Sequence, residues 1–194
     1  DRLEAANCLT KKSICAHGVH LTEKDIHHIH ESESWVVHNP RSNMNNGVGH
    51  APVHCFGERT AVGTDGFPAD MFEEAKMGFF KLKDSKSPPS DIVSKIHAGQ
   101  HLLSEMFDRQ FGTLTKGSPA DLVVLDYVAP TPMTLENVPG HFLFGMRSSD
   151  VESVMVAGKW VVRDRAIPGV DLPLLYAKAQ KVAKRLRTRM EKLK

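Results

Sequence analysis

The sequence predicts an α/β fold in which strand-helix units are wound around a parallel sheet or barrel, followed by a small β layer and a terminal helix. Three observations carry that expectation. Short β-like runs alternate with helical ones through the first half of the 194 residues, which is the mark of repeated strand-helix units. Each of those strands ends in a polar, ionisable residue: His17, His38 and Asp65. Beyond about Lys116 the β-like runs follow one another without long helices between them.

The first strand is Ser13-Ile14-Cys15-Ala16-His17, and a helix follows from Thr22, a good N-cap, through Ile26 and Ile29. The second strand, Trp35 to His38, is closed by the turn-forming run Asn39-Pro40-Arg41-Ser42-Asn43, with Gly47 and Gly49 beyond it. The third, Thr60 to Asp65, leads through Gly66 and Pro68 into an amphipathic helix with Met71, Phe72, Ala75, Phe79 and Leu82 on its apolar face. After Pro88-Pro89, residues Asp91 to Phe107 form another helix, with Ile92, Ile96, His97, Leu102, Leu103 and Met106 as its buried side. Ala120 to Asp126, Glu152 to Ala157 and Lys159 to Val162 are the strands of the β layer. Leu175, Ala179, Val182, Leu186 and Met190 keep helical spacing in a strongly basic terminal helix, whose apolar stripe is expected to be buried. The divisions are 1–115, 116–170 and 171–194.

Composition narrows the classes. Hydrophobic residues make up 41% and charged residues 25%, and no apolar run approaches the ~18 residues of a membrane span. No membrane partner is therefore expected, and a net charge of +2 gives no reason to expect a nucleic acid. Three cysteines, an odd number without CxxC spacing, argue against a disulfide framework and fit a reducing cytoplasm. The start, Asp1-Arg2-Leu3-Glu4, lacks both Met and a secretory layout, so a cut chain is the expectation.

The strand ends carry the chemistry, because in a parallel α/β barrel the catalytic groups converge above the C-terminal ends of strands. Alternation puts Cys15 on the face of His17, Val36 on that of His38, and Ala61 and Gly63 on that of Asp65; all suit a barrel interior. Asp65, exposed by the freedom of Gly66, can ligate a divalent metal and accept a proton from a water the metal acidifies. It can equally cap the following helix. His17 can hydrogen-bond a substrate, ligate metal or serve structure, and His38 can simply pin the turn after it.

Together the runs AHGVHLTEKDI, VVHNPRSNMNNGVG and VGTDGFPADMFEE, with KGSPADLVVLD and VMVAGKWVV downstream, resemble the aminohydrolase (deaminase) branch of the amidohydrolase superfamily, in the right order over nearly the whole chain. The NPRSNMNN and DMFEE runs are most similar to its SsnA group. The resemblance implies strands six to eight of a TIM-like (β/α)8 barrel plus part of a small β-sandwich. It implies hydrolysis of a non-peptide carbon–nitrogen bond, by deamination of a purine-like or other small N-heterocycle, with one divalent metal, zinc before iron. On the matching positions, Asp65 is metal ligand and proton shuttle, His17 contacts the substrate's reacting group, and His38 and Asn43 border the substrate pocket.

The family's HxH pair and HxxE motif, which supply the other metal ligands and the general acid, have no counterpart at a usable place. His28-Ile29-His30 falls in a helix, where residues two apart diverge by about 200°, so His27, His28 and His30 are expected on a solvated face. His20-Leu21-Thr22-Glu23 begins a helix instead. His50 with His54-Cys55, and His97 with His101, lack the partners of a metal motif. The fragment is expected to be inactive without the missing N-terminal half of the barrel, and to form a homo-oligomer if it exists alone. The competing expectation is a non-catalytic half-barrel that pairs with another polypeptide or with itself, since open sheet edges invite association.

Overall fold

A computed structural model describes residues 2–83 and 88–193. Strands β1 (Ile14–Ala16), β2 (Trp35–His38) and β3 (Thr60–Val62) form a parallel sheet in that order. Parallel neighbours need a crossover. After the single turn α1 (Arg2–Ala5), the first crossover is α2 (Glu23–Glu31) and the second is α3 (Pro40–Asn45) with a 3-10 turn at Val53–Cys55. Helix α2 starts where the sequence predicts: Thr22 Oγ1 accepts from Asp25 N at 3.2 Å, and the Asp25 carboxylate accepts from Thr22 N at 2.9 Å, a reciprocal cap. Helices α4 (Met71–Lys83) and α5 (Pro89–Phe107) complete the first layer.

Strands β4 (Leu122–Leu125), β5 (Val151–Val156) and β6 (Lys159–Val162) make a separate antiparallel sheet. Between β4 and β5, α6 (Val138–Gly140) runs into a π turn, His141–Gly145, whose Leu143 is fully buried in the same core as Val36 and Phe79. Phe142 and Phe144 stack on Phe72 and Phe79 of α4 at ring distances of 4.9 and 5.4 Å. The chain thus returns to the first layer before β5. Helix α7 (Leu172–Glu191) ends it.

The faces of the parallel sheet differ from the sequence expectation. Register pairs Cys15 with Val36, and Val37 with Ala61, and residues paired in register share a face. Cys15, Val36 and Val62 therefore lie on one side, packed with Ile26, Ile29 and Phe79 of the helices, while Val37 and Ala61 lie on the other with Trp35, Ala98 and Leu102. The three sets of expected neighbours cannot share one interior. The reason is that His17 and Asp65 stand beyond the last strand residues, with φ of 68° and 52°. Alternation does not continue through a left-handed residue.

Four smaller corrections have equally local causes. Asn39 to Asn43, expected as a turn, enters a helix, because Asn before Pro is also a helix start with Pro at the first position, where its missing N–H costs nothing. On α5, His97 and Leu103 are exposed whereas Ala98 is buried, since that helix turns its buried stripe from one core cluster to the other along its length. The histidines of α2 are not uniformly solvated: His27 is, but His28 meets Glu4 at 3.2 Å and His30 Nε2 meets Phe56 O at 3.0 Å. The stripe of α7 is uncovered, with Leu186 and Met190 at 55% and 58% exposure.

Candidate active site at the sheet rim

His17 follows β1 directly, held by its own N–H donating to Val37 O at 2.8 Å. It and Gly18 are both left-handed, and at Gly18 a Cβ would lie 2.6 Å from Phe56 Cζ, so only glycine fits. Asp65 follows β3 after a similar constraint: a Cβ on Gly63 would meet Asn39 Oδ1 at 2.7 Å and Val37 Cγ1 at 2.8 Å. These two turns bring His17 Nε2 to 3.8 Å from Asp65 Oδ2, with both side chains 42% exposed. Left-handed conformations cost a residue with a Cβ on the order of 1 kcal/mol, less for Asp and His than for bulkier types.

Helix α3 sets both groups. Asn43 Oδ1 lies 2.9 Å from His17 Nδ1, with Asn39 Nδ2 farther off at 3.3 Å. Nδ1 is thus held from the α3 side, and Nε2 faces the Asp65 carboxylate. Asn43 Nδ2 is buried with no hydrogen-bond partner among the described residues, a donor available to a ligand. His17 and Asn43 line a cavity of about 450 Å³ with Gly18, Leu21, Asn46 and Val48, mainly apolar apart from its amides and histidines.

Ser42, the next residue of α3, donates its hydroxyl to Asp65 Oδ2 at 2.5 Å. That bond above all, with the Gly66 backbone and His17 adding to it, holds the Asp65 carboxyl below the usual carboxylate range against the opposing effect of desolvation. The capping alternative for Asp65 fails. Asp70 Oδ1, not Asp65, accepts from the first turn of α4, at Glu73 N, 3.0 Å.

His38 does not join the rim. It is 2% exposed, on the helix-covered face with Val36, and lines a different cavity of about 240 Å³ with His50, His54 and Lys81. Because β2 extends to residue 38, its ring follows Val36, and it faces a cavity other than the one that His17 and Asn43 line. Burial first, then the positive charges of Lys95, His17 and Lys81, push the His38 pKa down to about 4, with the His17 backbone pulling the other way. Neither ring nitrogen has a hydrogen bond of normal geometry among the described residues.

Two residues that sequence reasoning passed over complete the arrangement. Arg41 and Glu74, 7% and 0% exposed, form a buried ion pair in which Glu74 Oε2 accepts from Arg41 Nε and Oε1 from Arg41 N at 2.9 Å. The guanidinium also donates to Glu73 Oε2 at 2.8 Å and Pro68 O at 2.7 Å, and sits 5.4 Å from the Phe67 ring centre. It ties α3 to the loop after Asp65. The signal was present as an Arg and a Glu pair inside two polar runs, but nothing local says that they meet.

The parallel sheet thus presents an imidazole and an ionised carboxylate at one rim, near an open cavity of about 450 Å³. The amidohydrolase family matches residues 1–161, and the chain belongs to that family. It is 31% identical over 186 residues to the 5-methylthioadenosine/S-adenosylhomocysteine deaminase of Caldanaerobacter subterraneus subsp. tengcongensis, covering 90% of this chain and 43% of that protein. To the 5'-deoxyadenosine deaminase of Methanospirillum hungatei it is 31% identical over 179 residues, 86% of this chain and 39% of that one. An adenosine deaminase from Xanthomonas campestris, crystallised with bound zinc, superposes with a TM-score of 0.82 at 27% identity, over 96% of this chain and 45% of that one. The chain thus spans less than half the length of these relatives.

Proposed function

We propose that the chain carries the C-terminal part of a metal-dependent deaminase site, acting on the adenine-type base of a small purine nucleoside. The observation that carries this reading is the juxtaposition of His17 Nε2 and Asp65 Oδ2 at 3.8 Å, with Asn43 holding the other ring nitrogen. In this reading β1, β2 and β3 are strands six to eight of a (β/α)8 barrel, residues 1–115 are its barrel part, 116–170 a part of a β-sandwich, and 171–194 a basic terminal helix. The NPRSNMNN and DMFEE runs favour the SsnA group, and three free cysteines suit a reducing cytoplasm.

Asp65 is the residue of this chain that would hold the metal, zinc before iron. Its donor set fits as one ligand: an ionised carboxylate that accepts from the Ser42 hydroxyl and from the Gly66 backbone. No group of three His, Cys, Asp or Glu converges among the described residues, so the rest of the shell would come from elsewhere. When bound, a divalent ion supplies Lewis acidity towards water and the scissile carbon–nitrogen unit. The chain's own residues do the positioning and proton work. Asp65 accepts a proton from the attacking water and returns it to the leaving amine. His17 Nε2 faces the reacting group and orients it as charge develops on the ring. Asn43 Nδ2 donates to a ring acceptor, and the apolar part of the cavity excludes water from the base.

The test is turnover of an adenosine-type nucleoside, followed by the ultraviolet change from adenine to hypoxanthine, in the full-length protein with zinc. Asp65→Asn and His17→Asn, both tolerant of left-handed backbone, are expected to fold normally and lose at least about 100-fold in kcat. Undiminished turnover by Asp65→Asn overturns the reading. Residues 1–194 alone are expected to be inactive, and zinc-dependent turnover by them would contradict that part. A second reading, a non-catalytic half-barrel that pairs with another polypeptide, draws on the exposure of Ile14 in the parallel sheet and predicts that the Asp65 variant changes assembly and not chemistry.

A further inference from the structure

Helix α3 and the Asn39 at its N-cap serve different ends of one construction. Asn39 and Asn43 reach His17, Arg41 grips the loop after Asp65, and Ser42 touches the Asp65 carboxylate itself. Ser42 is 3% exposed, its oxygen is also approached by Asn46 Nδ2 at 3.4 Å, and the helix bearing it is anchored to α4 through Arg41 and the fully buried Glu74. A buried hydroxyl on an anchored helix has little freedom. A carboxylate on a left-handed residue at an open rim has a great deal, unless something fixes its plane.

We propose that Ser42 is the positioning residue of Asp65. Its O–H occupies one lone pair of Oδ2 and, together with the Gly66 backbone, fixes the rotation of the carboxylate. The geometry makes α3 a clamp: one short helix sets the imidazole through Asn43 and the carboxylate through Ser42, so the separation of His17 and Asp65 is decided by the i, i+1 spacing of Ser42 and Asn43. The inference rests on the metal-dependent reading of the site for what the carboxylate would hold, and on geometry alone for its orientation.

The test uses the full-length protein and two readouts besides turnover: zinc affinity by competition with a chromophoric chelator, and the orientation of the Asp65 carboxylate in a crystal structure of the variant. Ser42→Ala is expected to weaken zinc about ten- to a hundredfold and to lower kcat by a similar factor, with KM and the melting temperature nearly unchanged. The carboxylate is expected to rotate away from its present plane. Ser42→Thr, which keeps the hydroxyl, restores most of the zinc affinity, and Ser42→Cys gives the same contrast as alanine if the alanine form fails to fold. Zinc affinity within twofold of the parent together with an unrotated carboxylate overturns the proposal. If Asp65→Ala leaves zinc affinity untouched, the metal reading of the site falls, while carboxylate rotation in Ser42→Ala still decides the role of Ser42. If zinc binds but no nucleoside is deaminated, only the deaminase reading falls.

Discussion

His38 shows how much a single position depends on its surroundings. As a letter in the sequence it is one more histidine at a strand end; in the fold it is a neutral ring in a basic, dry pocket. Its pKa lies at about 4 instead of the ordinary 6.5, so between those values the unfolded chain binds a proton that the folded chain refuses. Stability from this group is complete above about 6.5 and is lost as pH falls towards 4. At about 1.4 kcal/mol per pH unit, the effect is bounded at roughly 3 kcal/mol. Denaturant unfolding at a series of pH values checks it: His38→Asn should flatten the slope in that window, and an unchanged slope would assign the acid sensitivity elsewhere. Asp65 loses its contribution in the same direction of pH, although in its case it is the charged form that the fold favours. Its carboxyl is depressed, so the stability it contributes is present above the unfolded value and disappears only when pH falls through the folded one.

At the scale of the element, α3 is the piece on which the site turns, and its hold on α4 is open to measurement. Removing one partner of a buried ion pair leaves the other charged and unsatisfied, which costs about 3–5 kcal/mol. Arg41→Ala is expected to destabilise by that amount in urea unfolding. Arg41→Lys should rescue little of it, because an ammonium cannot reproduce the fork that reaches Glu74, Glu73 and Pro68 O together. A loss below 1 kcal/mol, the order expected of a surface pair, would mean that the pair is not the anchor described. A short helix of Pro40–Asn45 could not stand by itself, since isolated helices need about 12–15 residues. It exists because its side chains are held from three directions.

At the scale of the whole molecule the two sheets differ in what they leave bare. Val123 in the antiparallel sheet and Ile14 in the parallel one are more than half exposed, and no described residue of α7 is buried. Deleting residues 171–194 is therefore expected to leave the melting temperature of residues 1–170 within a few degrees, because little apolar area is lost from contact. A fall of about 10 °C would show that α7 packs in solution. The exposed apolar surface also predicts concentration-dependent association of residues 1–194, measurable by light scattering on a sizing column. A monodisperse species of 21.5 kDa at every concentration would count against an open half-barrel.

Local signals made most of the framework legible: the parallel strand-helix order, the Thr22 cap, the apolar face of α4 and the change of architecture past residue 116 all follow from periodicity and end chemistry within a few neighbouring residues. His17 and Asp65 were legible as candidates for the same reason, each standing where a strand ends, whereas Asn43 was a candidate only through the family resemblance. What tertiary structure alone decided was which of them meet. Sheet parity turns His38 to a different cavity from His17, and Ser42, Arg41 and Glu74 were recruited by contacts 23 to 33 residues apart in the chain. Short-range chemistry dictates what each segment can become. Partnership is set by register and by how helices pack over a sheet, and those depend on the sum of many weak contacts that no single stretch of sequence contains.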